Sequence, residues 1–255
     1  MKKVIKILRR KSAEEKPYYE LFSFETQDKG ASVGTALMQI SQNTDLTWEH
    51  SCLQKKCGAC AMIIDGKPAL ACDTRLSDCR GETVVVEPLR KFPVVRDLLV
   101  DRSAMTEKLK EMRVYPVRKG DGSVKEELFS KELSSENLSS KQIRQMERDD
   151  ETLFAASRCI QCGLCLEVCP NYYREGVFSG MAGMSPMAGL MAKEDSSDSK
   201  AVYRKYVYEG CGKSLACRDV CPAGIDMDQL LSESNRRALY ILKSPAVICQ
   251  ALNEQ

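Results

Sequence analysis

The apolar and polar positions of residues 1–100 predict a small mixed sheet that grips one helix. Five short apolar runs have the length of β-strands and end at turn residues. They are Val4–Leu8, Tyr18–Phe24, Ala61–Ile64, Lys67–Ala71 and Thr83–Glu87. Between the second and third runs, Val33–Gln42 places Val33, Leu37 and Ile40 at helical spacing. The pair Asp65-Gly66, between the third and fourth runs, predicts a tight hairpin turn.

The remainder of the chain has the periodicity of helices. One predicted helical face begins after Arg96 and comprises Leu98, Met105, Leu109 and Met112. A helix is also predicted after Ser139 or Ser140, with four apolar side chains directed inward: Ile143, Met146, Leu153 and Phe154. The last predicted helix starts near Asp226 and has an apolar stripe at Met227, Leu230, Leu231, Ala238, Ile241 and Leu242.

A charged, serine-rich stretch separates the two regions. Residues 113–140 contain few apolar side chains, which is typical of a linker. We therefore predict an N-terminal domain at 1–100, a connecting segment at 101–140 and a C-terminal domain at 141–255. The C-terminal domain also contains a methionine stripe, which we interpret as core filling rather than a surface for an apolar partner. It comprises Met181, Met184, Met187 and Met191.

Composition narrows the class of protein. The formal net charge is only +2, which argues against a nucleic-acid-binding surface. The 13 cysteines are odd in number and closely grouped, unlike those of a secreted disulfide scaffold. The basic start MKKVIKILRRK lacks the apolar run of a secretory signal, and no run approaches the roughly 20 apolar residues that span a bilayer. We therefore predict a soluble protein of a reducing compartment whose thiolates bind metal.

The first cysteine group has the spacing C-x4-C-x2-C, followed by a fourth cysteine after eleven residues. Its members are Cys52, Cys57, Cys60 and Cys72. This is the spacing of plant-type ferredoxins, which predicts a [2Fe-2S] cluster. Gly58 gives the loop the backbone freedom to curl around a cluster. Zinc is the alternative metal, but zinc sites usually contain two C-x2-C pairs and this group contains one.

Three further side chains are predicted to lie outside the ligand sets. Cys79 has no partner at a suitable spacing, and we interpret it as a buried or surface thiol. His50 precedes Cys52 by two residues, but four thiolates already complete that site, so we predict a supporting or packing role. Cys249 is given no role.

The sequence CIQCGLCLEVCP at residues 159–170 has the bacterial ferredoxin spacing C-x2-C-x2-C-x3-C-P. In two-cluster ferredoxins, the first three cysteines bind one cluster and the fourth binds the other. We therefore predict a [4Fe-4S] cluster completed by a distant cysteine, and a second centre that receives the crossing thiolate. The predicted ligands are Cys159, Cys162, Cys165 and Cys221 for the first of these, and Cys169, Cys211 and Cys217 for the second.

The second copy of this motif, CGKSLACRDVCP at residues 211–222, lacks one thiolate. Ser214 stands where the copy would place its second cysteine. A serine hydroxyl is a poor iron ligand because its pKa is far too high for easy ionisation, and a cubane with three thiolates readily loses one iron. We therefore predict a [3Fe-4S] cluster of higher potential on Cys169, Cys211 and Cys217. A serine-ligated [4Fe-4S] cluster is the alternative.

The combination of motifs resembles the iron–sulfur subunit of succinate dehydrogenase and fumarate reductase. The segments WEHSCLQKKCGACAMIIDGKPALAC and EPLRKFPVVRDLLVDRSAM are similar to that family's first cluster loop and the sequence after it. The segments CIQCGLCLEVCPNYY and CGKSLACRDVCPAGID are similar to its second and third cluster motifs. The resemblance implies an α+β fold, with an N-terminal β-grasp [2Fe-2S] ferredoxin-like domain and a C-terminal α-helical ferredoxin-like domain.

The resemblance also implies a function. The chain would relay single electrons between a FAD-containing flavoprotein subunit of succinate/fumarate type and a quinone-reactive membrane anchor of cytochrome b type, and it would hold no catalytic residue of its own. It would be cytoplasmic and peripheral, bound through the anchor to the cytoplasmic face of the bacterial inner membrane. The alternatives are the same relay serving a different flavoenzyme or a non-quinone acceptor, and a free-standing ferredoxin-like carrier.

Three positions depart from the family's pattern close to the quinone. Many succinate-oxidising members have a tryptophan pair after the Cys-Pro and a histidine after the first cysteine of the last motif. The corresponding residues here are Tyr173, Arg174 and Gly212. These departures leave the cluster ligands intact, and they favour a member resembling fumarate reductase or one with another electron outlet.

Overall fold

A five-stranded mixed sheet lies in the N-terminal half of the computed structural model, which describes residues 1–12, 14–114, 139–193 and 196–239. Its strands are β1 (Lys2–Arg9), β2 (Tyr18–Glu25), β3 (Ala61–Ile64), β4 (Lys67–Leu70) and β5 (Thr83–Glu87). Their order across the sheet is β2-β1-β5-β3-β4. β1 is parallel to β5, and the other neighbouring strands are antiparallel. The five predicted strands are therefore confirmed.

Helix α1 (Val33–Asn43) shares a hydrophobic core with the sheet. Its start is fixed by Ser32, whose Oγ accepts a hydrogen bond from the Thr35 N–H at 3.1 Å. The predicted inward side chains, Val33, Leu37 and Ile40, are all buried, so this helix is confirmed. The predicted hairpin turn is confirmed as well. Its two residues, Asp65 and Gly66, have φ angles of +47° and +76°, and a type I′ turn requires both to be positive.

The segment after Arg96 differs from the prediction. Instead of continuing into a helix, the chain forms a short hairpin from β6 (Val94–Arg96) and β7 (Leu99–Val100), and α2 (Ser103–Glu111) begins only afterwards. The cause is Asp97, which has a φ of +48° and cannot belong to a right-handed helix. Its carboxylate accepts hydrogen bonds from the backbone N–H groups of Arg10 at 3.1 Å and Thr47 at 3.0 Å, which hold it in the hairpin.

A buried ion pair joins this hairpin to the sheet. Arg9, at the end of β1, is only 1% exposed, and its Nε lies 2.9 Å from Oδ1 of the fully buried Asp97. Its two terminal nitrogens each contact a further carboxylate at 2.7 Å, those of Glu20 and Asp45. The carboxylates raise the pKa of Arg9 against the opposing effect of its burial, which is the largest single influence on it. The Arg9 guanidinium therefore holds together the three segments that carry Asp97, Glu20 and Asp45.

The C-terminal half is helical, and the whole fold is α+β as predicted. The helices are α3 (Ser140–Ser157), α4 (Leu164–Val168), α5 (Gly180–Lys193), α6 (Ser197–Tyr203), α7 (Ala216–Asp219) and α8 (Met227–Leu239). A π-helical turn at Arg204–Tyr208 continues α6. The four methionines of the predicted stripe lie on α5 and are all buried, so their interpretation as core filling is confirmed. Most of the predicted connecting segment, 115–138, lies outside the described residues, as do Ile241 and Leu242.

The predicted helix α3 is confirmed, but its predicted inward face is wrong. Ile143, Met146 and Phe154 are 41%, 40% and 68% exposed, and Leu153 is only partly buried. Ala156 and Leu153, rather than the three exposed side chains, lie against Gly189 of α5. A Cβ placed on Gly189 would lie 3.4 Å from that of Ala156, so the two helices approach closely on this side. Close packing of small side chains therefore outweighs burial of the larger apolar ones on α3.

The two halves are joined by direct contacts. Lys91, which follows β5, donates from its backbone N–H to Glu167 Oε2 at 3.0 Å. Its ammonium also donates to the carbonyl oxygens of Cys169 and Tyr172 in the C-terminal half. Within the described ranges, none of the helices is both long enough and apolar enough to cross a bilayer.

Replacement of Arg9 by leucine tests the role of the buried pair. We expect Arg9→Leu to lower the free energy of unfolding by about 3–5 kcal/mol, because the buried Asp97 would lose its close cation and keep only Arg96, whose Nε lies 3.9 Å away. Denaturant unfolding of anaerobically handled protein measures the change. The control is Lys2→Met, which removes the fully exposed ion pair between Lys2 and Glu25 and should leave the midpoint almost unchanged. Equal effects of the two substitutions would show that the buried pair has no special importance.

Candidate metal centres

The first cysteine loop turns its backbone N–H groups towards sulfur. The N–H groups of Gln54 and Lys56 each donate to Cys52 Sγ at 3.3 Å, and that of Lys55 donates to Cys72 Sγ at 3.3 Å. Positive φ angles at Leu53, Lys55 and Gly58 produce this inward orientation. The two donors to Cys52 lower the pKa of its thiol to about 7. The loop therefore stabilises negative charge on sulfur.

The structure brings the four cysteines of the first group together. The thiols of Cys52 and Cys57 lie close enough to affect each other's charge, as do those of Cys60 and Cys72. Cys57 lies at the exposed side of the group, whereas Cys60 is 2% exposed. Burial raises the pKa of the Cys60 thiol to about 12, with the neighbouring Cys72 and Cys57 adding to the shift. The first group is therefore exposed to solvent at Cys57 and buried in the protein core at Cys60.

A second group of cysteines surrounds a small cavity in the C-terminal half. Its thiols belong to Cys159, Cys162, Cys165 and Cys221, and the remaining wall is largely apolar, with Met181, Ile225 and Met227. Burial raises the pKa of the Cys162 thiol to about 11 and that of Cys165 well above its ordinary value. The structure therefore brings together four cysteines that are separated by as many as 62 positions in the sequence.

A third group surrounds a neighbouring cavity. Cys169, Cys211 and Cys217 line it together with Ser214, Phe178 and Leu231. The pKa of the Cys217 thiol is raised to about 11. Burial is the main cause, and the neighbouring thiols of Cys169 and Cys211 raise it further. The hydroxyl-bearing Ser214 therefore lines the same cavity as the three thiols.

The short helix α4 separates the two cavities. Cys165 lies within α4 and lines the second cavity, whereas Cys169 caps the C-terminus of α4 and lines the third. Gly163 permits this arrangement because α4 starts from a left-handed conformation, with φ of +83°. Consecutive cysteines of one motif thus belong to different groups. In the described part of the chain, no three His, Cys, Asp or Glu side chains are arranged to hold a single metal ion.

The first and second groups are in direct contact through Gly58. A Cβ placed on Gly58 would lie 2.7 Å from Cys162 Cβ, so only glycine allows this approach. Arg102 secures the contact, since its guanidinium donates to the carbonyl oxygens of Gly58 at 3.3 Å and Ala59 at 2.9 Å. It also lies 3.5 Å from Glu49. No motif or spacing in the sequence singles out Arg102, although it lies within the segment that carries the resemblance.

The side chains predicted to lie outside the ligand sets have other contacts. The ring of His50 stacks on Trp48 with a centroid distance of 4.4 Å, which agrees with a packing role. Cys79 is partly buried, and its thiol donates to the Arg75 carbonyl at 3.5 Å. Cys249 lies outside the described residues.

Fold and thiol groups together define a class of protein: a ferredoxin-type iron–sulfur protein with two cluster-binding domains. Residues 4–107 match the family described as a 2Fe-2S iron-sulfur cluster binding domain, and residues 155–225 match a 4Fe-4S dicluster domain. The predicted β-grasp-like and α-helical ferredoxin-like domains, and the [2Fe-2S] and [4Fe-4S] cofactor types, are therefore confirmed.

Whole-chain relatives narrow the class to one family. The chain is 32% identical over 245 residues to the succinate dehydrogenase iron–sulfur subunit of Bacillus subtilis, covering 90% of each chain. It is 25% identical to the fumarate reductase iron–sulfur subunit of Wolinella succinogenes, covering 90% of this chain and 93% of the relative. A chain of the Mycobacterium smegmatis Sdh1 complex in the apo form matches with a TM-score of 0.71 and 26% identity, over 94% of this chain and 97% of that one.

The chain belongs to the family of iron–sulfur subunits of succinate dehydrogenases and fumarate reductases. It is accordingly an electron-transfer subunit of an oxidoreductase complex, as predicted. Which cysteine binds which cluster, and where the domains begin and end, stay predictions.

Replacement of Gly58 by alanine tests the contact between the first two groups. We expect Gly58→Ala to lower the unfolding midpoint and to reduce the retained iron, because the added methyl group meets Cys162. Gly66→Ala is the matched control, since Gly66 also has a positive φ, of +76°, but has no neighbour within 4 Å of the added carbon. The control should show only the backbone cost, about 1–2 kcal/mol. If the two variants behaved alike, the close approach at Gly58 would be unimportant.

Proposed function

We propose that three groups of cysteines hold three iron–sulfur clusters and that single electrons pass between them. The assigned ligands are Cys52, Cys57, Cys60 and Cys72 for [2Fe-2S]; Cys159, Cys162, Cys165 and Cys221 for [4Fe-4S]; and Cys169, Cys211 and Cys217 for [3Fe-4S]. The observation that carries the proposal is the division of one motif between two cavities. Cys165 lines the second cavity and Cys169 the third, which is the crossing of ligands expected of a two-cluster ferredoxin.

The chemistry of the donors fits these clusters. When bound, the clusters supply one-electron chemistry, and the protein sets their positions and potentials. The N–H groups of Gln54, Lys55 and Lys56 favour negative charge on the sulfurs of the first group. Cys60, Cys162 and Cys217 are desolvated thiols, and such thiols ionise readily only where positive charge compensates them. Bound iron would supply that charge at each site.

The contacts between the groups suit a relay in the order of the sequence. Gly58 of the first group touches Cys162 of the second, so no other side chain separates them. The second and third cavities share Met181 in their walls, and α4, whose five residues rise about 7.5 Å, carries Cys165 to one cavity and Cys169 to the other. The chain thus supports a continuous path from the first group to the third.

The proposed partners lie at the two ends of this path. The relatives named above are subunits of succinate dehydrogenase and fumarate reductase complexes, which supports a FAD-containing flavoprotein subunit at one end and a quinone-reactive anchor of cytochrome b type at the other. Close to the third group, three large apolar side chains are exposed, which suits contact with an apolar partner. They are Tyr173, Val177 and Tyr208, at 68%, 51% and 38%. We place the chain at the cytoplasmic face of the bacterial inner membrane through that anchor.

Purification of the native complex under anaerobic conditions tests the proposal. We expect iron, acid-labile sulfide and a flavin-bearing subunit to purify with this chain. Electron paramagnetic resonance should show a [2Fe-2S] signal in the reduced state and a [3Fe-4S] signal in the oxidised state. Oxygen-protected protein without iron would overturn the cluster assignment, and an iron-loaded chain without a flavin subunit would favour the free-standing carrier.

Replacement of Ser214 by cysteine tests the trinuclear centre. We expect Ser214→Cys to replace most of the oxidised-state [3Fe-4S] signal by a [4Fe-4S] spectrum of lower potential, because another thiolate adds negative charge. The matched control Ser214→Ala removes the hydroxyl without adding a ligand and should keep the trinuclear signal. An unchanged signal in Ser214→Cys would contradict the assignment, and a [4Fe-4S] spectrum at this site in the unmodified protein would favour ligation by serine.

A further inference from the structure

Gln161, between two predicted ligands, directs its side-chain amide at two acceptors. Its Nε2 lies 3.3 Å from Cys159 Sγ and 3.0 Å from the carbonyl oxygen of Ala182 on α5. The backbone of Gln161 has a φ of +51°, an uncommon conformation for a residue other than glycine. The side chain therefore bridges the second cysteine group and the neighbouring helix.

The second acceptor exists because of a proline. In a regular helix, the carbonyl of Ala182 would accept a hydrogen bond from the N–H of residue 186. Pro186 occupies that position within α5 and has no N–H. The amide of Gln161 replaces the missing donor. This explains why a polar side chain is held in this place.

The two acceptors also fix which way the amide faces. The opposite end of the amide, Oε1, is buried and has no hydrogen-bond partner. Rotation of the amide by 180° would place that oxygen against the Ala182 carbonyl and the Cys159 sulfur, and two acceptors cannot bond to each other. The structure therefore leaves an acceptor unpaired in order to keep the N–H next to sulfur.

A second polar group lies beside the same sulfur. The hydroxyl of Ser185, which is fully buried, donates its one proton to the Ala156 carbonyl at 3.1 Å, so the proton is not available to the nearby Cys159 sulfur. The Gln161 amide is therefore the side-chain donor that stabilises negative charge on that sulfur, within a cavity whose remaining wall is largely apolar.

We propose that Gln161 is a positioning residue that raises the reduction potential of the centre bound by Cys159. The inference rests on the proposed function, which assigns a [4Fe-4S] cluster to this group. Reduction adds negative charge that the ligand sulfurs share, so an N–H donor to sulfur stabilises the reduced state more than the oxidised state. Removal of the donor lowers the potential of this centre and leaves the other two unchanged.

Replacement of Gln161 by leucine in the intact complex tests the inference. At a fixed applied potential, we expect Gln161→Leu to lower the ratio of reduced to oxidised cluster about tenfold, typical of losing one hydrogen bond to a charged group. A tenfold change equals about 59 mV for a one-electron couple. Redox titration monitored by electron paramagnetic resonance measures it. Gln161→Asn tolerates the positive φ but is too short to reach sulfur, so it should lower the potential even if the leucine variant does not fold.

A substitution in α5 distinguishes an effect of Gln161 on the reduction potential from its role in supporting the helix. Pro186→Ala restores a backbone donor to the Ala182 carbonyl, so Gln161→Leu should cost less stability in that background. The shift in potential should persist there, because the donor to Cys159 is still missing. A shift that disappears in the Pro186→Ala background, or an unchanged potential in a cluster-loaded Gln161→Leu or Gln161→Asn protein, would overturn the inference. Absence of a [4Fe-4S] centre from the unmodified protein would instead overturn the proposed function.

Discussion

Burial of sulfur is the constraint on which the rest of the structure depends. A thiol in an apolar cavity stays protonated unless nearby donors or positive charge stabilise the thiolate. The chain satisfies this requirement unevenly. The first group is served by N–H groups of its own loop, including those of Gln54 and Lys56. The second and third groups lie between helices, where burial raises the pKa of Cys162 and Cys217. Binding of iron and folding of this half are therefore coupled.

Contacts between the N-terminal and C-terminal halves hold the cysteine groups at fixed positions relative to one another. Gly58 brings the first loop against Cys162, and Arg102 holds the loop in place through its carbonyl oxygens. Lys91 makes the corresponding contact with the carbonyl of Cys169, at the boundary between the second and third cavities. These contacts are backbone-directed and short, so they fix the distances between the groups. A relay requires such fixed distances, because its rate depends on the separation of its centres.

The sheet, α1 and the Asp65-Gly66 turn could be predicted from local sequence. The periodicity of apolar residues and the turn preference of Asp-Gly both depend on only a few neighbouring residues. Cysteine spacing likewise indicated which thiols border the same cavity. The failures arose from distant contacts. The hairpin around Asp97 depends on Arg9, 88 positions earlier, and the inward face of α3 depends on Gly189 of α5. Gln161 lies inside a recognised motif, yet its role appears only when Pro186 is placed beside it.

The two related cysteine motifs surround neighbouring cavities whose polar side chains differ. Both motifs end in Cys-Pro, and each gives its last cysteine to the other motif's cavity: Cys169, after α4, lines the third, and Cys221, after α7, lines the second. The differences lie in single side chains. At the second cavity, the amide of Gln161 donates to a sulfur. At the third, Ser214 replaces a thiolate and removes one negative charge. Under the proposed assignment, the missing thiolate favours the reduced state of the third centre, as the hydrogen bond from Gln161 does at the second.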